Sequence, residues 1–180
     1  MKISYQWAMP NKETFKIKPI LDFIYQYYEN DKLWIDPFAN NSQLARITND
    51  LNPNFKTKYN LDAIEFLKLF EDNSVDGCFF DPPYSQRQAK EVYENFGLDN
   101  LAKSSAWFWN LKREISRIIK PGGIVLTFGW NTSGISKKYG FKKVELLIVN
   151  HGSEHRDTLC LAESKGNYIK AKKKLEKLLT

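Results

Sequence analysis

The residues best suited to chemistry form one tetrapeptide, Asp81-Pro82-Pro83-Tyr84, which follows a mainly apolar run at residues 75–80. Two successive prolines fix φ and remove two backbone N–H groups, and Pro82 restrains Asp81 to extended geometry. The carbonyl oxygens of Asp81 and Pro82 then stay available as hydrogen-bond acceptors, beside a carboxylate and an aromatic ring. Such a rigid turn suits a planar ligand that carries an amino group, although Pro and Asp are also common in plain turns.

Two earlier strand ends carry polar residues of a similar kind. A short apolar strand predicted at 33–35 leads into Asp36-Pro37-Phe38-Ala39-Asn40, and a second strand predicted at 46–48 leads to Asp50. In a doubly wound parallel sheet, ligands bind outside the carboxyl ends of the strands, where an acid often accepts ribose hydroxyls. The sequence therefore predicts that the three strand ends open on one edge, with Asp50 as the ribose acceptor. A turn or helix-capping aspartate is the alternative for Asp50.

The tetrapeptide resembles the catalytic motif of the S-adenosylmethionine-dependent, adenine-specific DNA methyltransferases, whose small phage-type members also carry Asp-Pro-Phe-Ala-Asn, as at 36–40 here. The resemblance covers about residues 9–163. It implies S-adenosylmethionine as the cofactor, DNA as the substrate and the exocyclic N6 amino group of adenine as the methyl acceptor. Family members usually have glycines at the places of Ala39 and Asn41, but asparagine tolerates left-handed backbone geometry better than most residues.

The resemblance also assigns roles to individual residues. It implies catalytic roles for Asp81, Pro82, Pro83 and Tyr84, and the implied cofactor contacts are Phe15, Asp36, Pro37, Phe38, Ala39, Asn40, Asp50 and Asp62. Phe15 stands before the first predicted helix, where the family contacts the methionine end of the cofactor; a core aromatic residue is the alternative. Asp62 matches an acid that binds the adenine amino group, and an aspartate that stabilises a helix N-terminus is equally consistent.

Three polar residues directly after the turn are candidates for substrate binding, because such side chains contact DNA backbones and base edges. They are Gln86, Arg87 and Gln88, and a solvent-exposed helix start is the alternative. We expect no separate target-recognition domain before or after the turn. A short recognition site, low specificity, or recognition by a partner subunit or a second copy would follow.

Strand and helix patterns alternate along the chain, which predicts an α/β fold. We expect a Rossmann-like class I methyltransferase: a mostly parallel, doubly wound sheet with an antiparallel C-terminal edge hairpin formed by 141–149 and 158–163. Residues 1–15 are predicted to be loop, and further strands are predicted at 75–80 and 124–128. Helices are predicted at 16–28, 60–70, 85–96 and 101–120, the last stopped by Pro121-Gly122-Gly123. The domain prediction is one catalytic domain at 1–164 and a basic helix or tail at 165–180.

Charge and cysteine content bear on the kind of partner that the protein binds and on its redox compartment. The net charge is +6, and residues 165–180 hold six lysines and one glutamate, so the rest is almost neutral. Clustered lysines favour a polyanion such as DNA, although a solvated amphipathic helix fits equally well. The two cysteines lie in apolar runs, which predicts buried free thiols in a reducing cytoplasm. No stretch has the length of a membrane span, and two histidines four residues apart in a loop do not predict a metal site.

Other functions remain open on the sequence. An RNA adenine or guanine amino-methyltransferase is the first alternative, because related turns act on exocyclic amines of RNA bases. A non-catalytic nucleic-acid-binding subunit of a methyltransferase complex is the second, since the cofactor loop is poor in glycine. Protein-glutamine methyltransferases fit less well, because their resembling motif begins with Asn where this chain has Asp81.

Overall fold

The computed structural model describes residues 1–83, 85–94, 96, 106–152 and 155–166, without the side chains of Gln86 and Val92. Short 3-10 turns lie at Thr14–Lys16 and Lys137–Tyr139. The helices are α1 Lys18–Tyr25, α2 Ala63–Lys68, α3 Gln86–Glu94 and α4 Ala106–Ile118. The strands are β1 Lys2–Trp7, β2 Trp34–Asp36, β3 Ile47–Thr48, β4 Val75–Phe80, β5 Ile119–Gly129, β6 Phe141–Asn150 and β7 Thr158–Lys165.

These strands form one sheet in the order β1-β6-β7-β5-β4-β2-β3. Strands β3, β2, β4 and β5 are parallel neighbours, whereas β7 runs antiparallel to both β5 and β6. Helices cover both faces, so the predicted fold class, a mostly parallel doubly wound sheet with a C-terminal antiparallel hairpin, is confirmed. Because β2, β3 and β4 run in the same direction, their carboxyl ends meet at one edge, as the sequence predicts.

The prediction of a loop over residues 1–15 is wrong for its first half. Strand β1 pairs in parallel with β6, and so adds an outer strand beyond the predicted hairpin. Its side chains Ile3, Tyr5 and Trp7 are 51%, 71% and 63% exposed, so burial does not reveal this strand. The signal in the sequence is their strict alternation with Lys2, Ser4 and Gln6, which is the period-two pattern of a strand.

The boundary between α4 and β5 also differs from the prediction. The helix ends at Ile118 and β5 begins at Ile119, so Pro121-Gly122-Gly123 lies inside the strand and does not itself stop the helix. The pairing with β4 is irregular here, with a register shift between Val75 and Gly77. Gly122 has a φ of 81°, a left-handed conformation that glycine adopts without steric cost.

Two apolar cores lie on opposite faces of the sheet. On one face, α2, α3 and α4 pack on the sheet through buried residues that include Phe66, Tyr93, Trp107, Leu111 and Ile115. On the other face, α1 packs through Ile20, Phe23 and Ile24. Successive residues of β4 alternate between the two cores: Cys78 and Phe80 enter the first and Phe79 the second. Strand β4 is therefore buried on both sides, which fixes the position of the turn that follows it.

The two cysteines are buried and free, as predicted, in β4 (Cys78) and β7 (Cys160). Among the described residues, no helix has both the length and the apolar character needed to cross a bilayer. Residues 167–180 of the predicted basic tail lie outside the described residues. The boundary between a catalytic domain at 1–164 and a tail at 165–180 therefore stays a prediction.

Gly77 of β4 generates the first prediction. It pairs with Trp34 of β2, and a Cβ added to Gly77 would overlap ring atoms of that tryptophan. We expect Gly77→Ala to lower the free energy of unfolding by roughly 1–3 kcal/mol, the usual cost of overpacking, in urea unfolding. The control is a double-mutant cycle with Trp34→Leu, which replaces the indole ring by a smaller aliphatic side chain. An equal cost of the alanine in both backgrounds would show that the overlap with Trp34 is not its cause.

Candidate active site

The predicted catalytic turn leaves the sheet at the end of β4, which is buried on both faces. Phe80, the last residue of β4, pairs with Thr127 of β5, and Asp81 and Pro82 follow it directly. Pro82 is buried, whereas Asp81 and Pro83 are half-buried. Tyr84, the fourth predicted catalytic residue, lies outside the described residues. The turn therefore presents a carboxylate and two rigid prolines at the sheet edge predicted to bind ligands.

Two cavities meet at Asp81. The first has a volume of about 470 Å³, and its walls include Phe38, Asp50, Phe55, Asp81, Pro82 and Tyr93. The second, of about 580 Å³, is lined by residues that include Phe15, Leu21, Tyr25, Ala39 and Asp81. Thr14, Phe38, Asn40 and Asp81 belong to both walls, so the two cavities are neighbouring parts of one cleft. Of the predicted cofactor contacts, Pro37 and Asp50 line the first cavity, Phe15 and Ala39 the second, and Phe38 and Asn40 both.

Asp50 is held rigidly in the wall of the first cavity. Its Oδ2 accepts a hydrogen bond from the backbone N–H of Asn40 at 2.9 Å, and its Oδ1 accepts one from Asn52, also at 2.9 Å. Burial raises the pKa of the Asp50 carboxyl, while these two N–H groups oppose the shift. Asn40 has a φ of 49°, so the left-handed residue of this glycine-poor loop is Asn40 and not Asn41, the asparagine at a glycine place of the family.

Asp36 lies beneath the same loop. It is fully buried at the end of β2, where its Oδ1 accepts a hydrogen bond from the N–H of Phe38 at 3.0 Å. Its Oδ2 has no hydrogen-bond partner among the described residues. Burial first, and then the charges of Asp81 and Asp50, raise the pKa of Asp36 well above its ordinary value. Asp36 is not among the described residues that line the two cavities, so its contact with a cofactor stays a prediction.

Asn49 is a supporting residue that the sequence analysis missed. Its buried amide nitrogen donates to the carbonyl oxygens of Pro37 at 3.1 Å and Leu61 at 3.0 Å. Its amide oxygen accepts from the N–H of Leu61 at 3.0 Å. Asn49 thus ties the loop after β2 to the segment before α2, and Asp50 ties it to the loop after β3. A buried amide beside an acid at a strand end is the signal that could have identified it.

Asp62 has the helix-capping role that the sequence left open. Its Oδ1 accepts from the N–H groups of Ile64 at 2.9 Å and Glu65 at 3.2 Å, at the N-terminus of α2. The hydroxyl of Tyr93 donates to its Oδ2 at 2.7 Å. Burial and the Asp62 charge raise the pKa of Tyr93, which keeps its hydroxyl protonated. Tyr93 lines the first cavity, so Asp62 positions a wall residue, and its contact with adenine stays a prediction.

Phe15 packs as a core aromatic residue, and its contact with the cofactor stays a prediction. Its ring lies 4.9 Å from that of Phe128 and 5.5 Å from that of Phe79, measured between centroids, and it also lines the second cavity.

The predicted substrate contacts lie in different surroundings. Gln88 lines the first cavity, whereas exposed Arg87 pairs with Glu91 at 2.8 Å. The side chain of Gln86 lies outside the described residues.

A third cavity lies on the β5 side of the turn. It has a volume of about 490 Å³, shares Pro82 and Pro83 with the first cavity, and is also lined by Phe108, Trp109, Thr127 and Trp130. This cavity was not predicted, because the helix predicted at 101–120 and the segment after β5 were given no functional role. The indole of Trp130 directly after the strand end is the signal that was available.

The histidine loop is a structural element. His151 is buried, with Nδ1 at 2.8 Å from the carbonyl oxygen of Ala8 and Nε2 at 2.9 Å from the hydroxyl of Thr158. The carbonyl requires a donor, so Nδ1 carries the proton and Nε2 accepts from Thr158. Within the described part of the chain, no group of three or more His, Cys, Asp or Glu side chains is placed to hold a metal ion.

The arrangement defines what the site can do. The carboxylate of Asp81 lines both parts of the cleft, and the two prolines that follow it line the first part of that cleft and the third cavity. The carboxylate can accept hydrogen bonds from an amino group, and the prolines restrict the movement of the turn. Such a turn can hold one reactant against another bound in the cleft.

Comparison with known proteins gives one similar sequence and several similar folds. No family model matches the chain. The type II methyltransferase M.BamHI of Bacillus amyloliquefaciens is 30% identical over 92 residues, which cover 46% of this chain. The match spans only 21% of the length of M.BamHI, about a fifth of that protein.

Solved structures place the fold among methyltransferases. TrmN from Thermus thermophilus matches with a TM-score of 0.50 at 16% identity, over 74% of this chain and 44% of that one. The 1,6-didemethyltoxoflavin-N1-methyltransferase of Burkholderia thailandensis, solved with S-adenosylhomocysteine, matches with a TM-score of 0.52 at 11% identity, over 76% and 72%. At these identities the likeness is one of fold: this chain has the Rossmann-like fold of these methyltransferases.

Proposed function

We propose that this protein is an S-adenosylmethionine-dependent methyltransferase that methylates the exocyclic N6 amino group of adenine in DNA. The observation that carries the proposal is the position of the Asp81-Pro82-Pro83 turn. Asp81 lines both parts of the cleft, and Pro82 and Pro83 separate that cleft from the third cavity. A methyl donor in the cleft and a base from the other side would meet at the carboxylate.

The residues of the cleft fit S-adenosylmethionine. Asp50 offers carboxylate oxygens to ribose hydroxyls, and Phe38, Phe55 and Tyr93 offer aromatic surface to adenine in the first cavity. Phe15 in the wall of the second cavity is suited to the methionine end, as the family resemblance implies. Asp50 and Asp81 line the cleft, so their carboxylates favour a positively charged ligand such as a sulfonium.

The protein contributes positioning and hydrogen bonding. The cofactor, when bound, supplies a methyl group that its sulfonium already activates. The Asp81 carboxylate and the Pro82 carbonyl accept hydrogen bonds from the adenine amino group, which draws its lone pair out of conjugation with the ring. The lone pair then points at the cleft, and this orientation accounts for much of the rate. Transfer would form the N–C bond while the sulfur–methyl bond breaks and leaves a neutral thioether, and the nitrogen would then give one proton to Asp81 or to solvent. Tyr84 is proposed to stack on the base, which must leave a duplex to enter.

The choice of DNA rests on the tetrapeptide and not on the fold. The fold also occurs in TrmN and in an enzyme named for a small-molecule substrate, and M.BamHI is named a type II methyltransferase. Recognition by a partner subunit or a second copy stays part of the proposal.

The direct test is to incubate the protein with S-adenosylmethionine and unmethylated DNA or RNA, and to identify methylated nucleosides by mass spectrometry. N6-methyladenine from DNA supports the proposal, and the mark in RNA alone would move it to the RNA alternative.

Replacement of Asp81 tests the catalytic turn. We expect Asp81→Ala to lower the methyl-transfer rate at least about 100-fold, as for loss of one preorganised hydrogen-bonding group, because the amino group loses its acceptor. Affinity for S-adenosylmethionine, measured by calorimetry, should stay within a few-fold of wild type. The matched control is Asp22→Asn on the exposed face of α1, which removes a surface ion pair with Lys18. Turnover retained by Asp81→Ala would remove Asp81 from the mechanism.

The pH dependence of cofactor binding tests Asp50. Its pKa is raised, so as the pH falls Asp50 becomes neutral at a higher pH than an ordinary aspartate, and it then loses its charge and much of its acceptor strength. We therefore expect affinity for S-adenosylmethionine to decline with falling pH from above the normal aspartate range. Asp50→Asn should weaken binding about 10-fold at neutral pH, as for a lost hydrogen bond to a charged group. It should also flatten the pH profile, and a profile as steep as that of wild type would show that Asp50 is not the titrating group.

A further inference from the structure

The third cavity contains a polar group with no assigned role. Thr127 lines this cavity and is 9% exposed, and its Oγ1 has no hydrogen-bond partner among the described residues. A buried hydroxyl without a partner is unfavourable. Rotation of χ1 to another staggered position exchanges the hydroxyl with the methyl group, so a polar ligand in the cavity can satisfy it. The surrounding wall combines aromatic rings and two prolines with polar side chains, which suits a flat ligand with a polar edge.

The rim of this cavity combines exposed indoles with cations. Trp109 and Trp130 are 52% and 37% exposed. The Nζ atoms of Lys112 and Lys138 lie 5.9 Å and 5.5 Å from the ring centre of Trp109. The Cζ of Arg156 lies 4.2 Å from the ring centre of Trp130. Aromatic faces beside positive charges are the features by which proteins bind single-stranded nucleic acid, since bases stack on the rings and phosphates pair with the cations.

Glu163 anchors one segment of this rim from beneath. The fully buried carboxylate accepts hydrogen bonds from the N–H groups of Ile135 at 2.6 Å and Ser136 at 3.4 Å. Gly134 has a φ of 51°, and a Cβ there would overlap the carboxylate of Glu163. The segment between β5 and the 3-10 turn is thus anchored from below, and Lys112 contacts the same segment through Ser133 at 3.4 Å.

We propose that the third cavity and its rim bind single-stranded DNA on the side of the Pro82–Pro83 turn opposite the cofactor cleft. One base enters the cavity and hydrogen-bonds to Thr127, neighbouring bases stack on Trp109 and Trp130, and phosphates lie against Lys112, Lys138 and Arg156. The single strand follows from the indoles, because a duplex hides the base faces on which they would stack. The choice of DNA over RNA rests on the proposed function.

The binding experiment uses the full chain without cofactor and a fluorescein-labelled single strand of about ten nucleotides, followed by fluorescence anisotropy. Trp130→Ala should weaken binding about 10-fold, as for one lost base–aromatic stack. The matched control is Trp7→Ala, which removes an exposed indole of β1 and should leave binding unchanged. Three phosphate contacts predict that log K falls against log salt concentration with a slope of about −2. Lys138→Gln should reduce that slope by about 0.7.

Thr127→Val separates binding from folding. The substitution removes a buried hydroxyl that has no partner among the described residues, so the unfolding midpoint should stay equal or rise. Oligonucleotide affinity should fall about 5-fold or more, as for one lost hydrogen bond. Unchanged affinity in both Thr127→Val and Trp130→Ala would overturn the inference, as would tighter binding of a duplex or of single-stranded RNA.

The outcome is independent of methyl transfer. Binding of the single strand that depends on the rim, in a protein that yields no methylated nucleoside, would support this inference and count against the proposed function. Methylation that is unaffected by Trp130→Ala, with binding also unaffected, would support the proposed function and overturn the inference.

Discussion

Burial of β4 on both faces is the constraint on which the site depends. Phe79 and Phe80 enter opposite cores. Trp34 of the neighbouring strand β2 stacks on Phe79, with ring centroids 4.9 Å apart. A strand fixed on both sides cannot slide by one residue, because that shift would exchange its two faces. The turn after Phe80 therefore has a fixed place at the sheet edge, and the prolines extend this rigidity to the carboxylate of Asp81.

The cofactor cleft depends on a second kind of constraint, supplied by side chains that bond to backbone. Strands β2 and β3 are short, three and two residues, so ladder hydrogen bonds alone hold little of this region. The side chains of Asn49 and Asp50 supply further hydrogen bonds, which join the loops after both strands and the segment before α2. The left-handed Asn40 is then stabilised by its bond to Asp50, which offsets the lack of glycine in the loop.

The sequence predicts features that follow from local pattern and misses those that depend on contacts distant along the chain. The buried strand before Asp81, the acid after β3 and the hairpin of β6 and β7 follow from apolar runs and turn residues. Strand β1 was missed because it is mostly exposed and its partner lies more than a hundred residues away. Asp62 was ambiguous because capping and ligand binding use the same residue type. The tie made by Asn49 and the third cavity depend on several distant segments, and a single sequence gives no spacing for them.

The buried thiols described above have a consequence for kinetics. Burial raises the pKa of both Cys78 and Cys160, so neither forms the reactive thiolate in the folded sheet. Alkylation of each can occur only when its strand opens, and its rate then reports that opening. Cys78 lies three residues before Asp81, and Cys160 lies in the hairpin beside β5. The two alkylation rates would thus report two separate openings, that of the strand before the catalytic turn and that of the antiparallel strand β7.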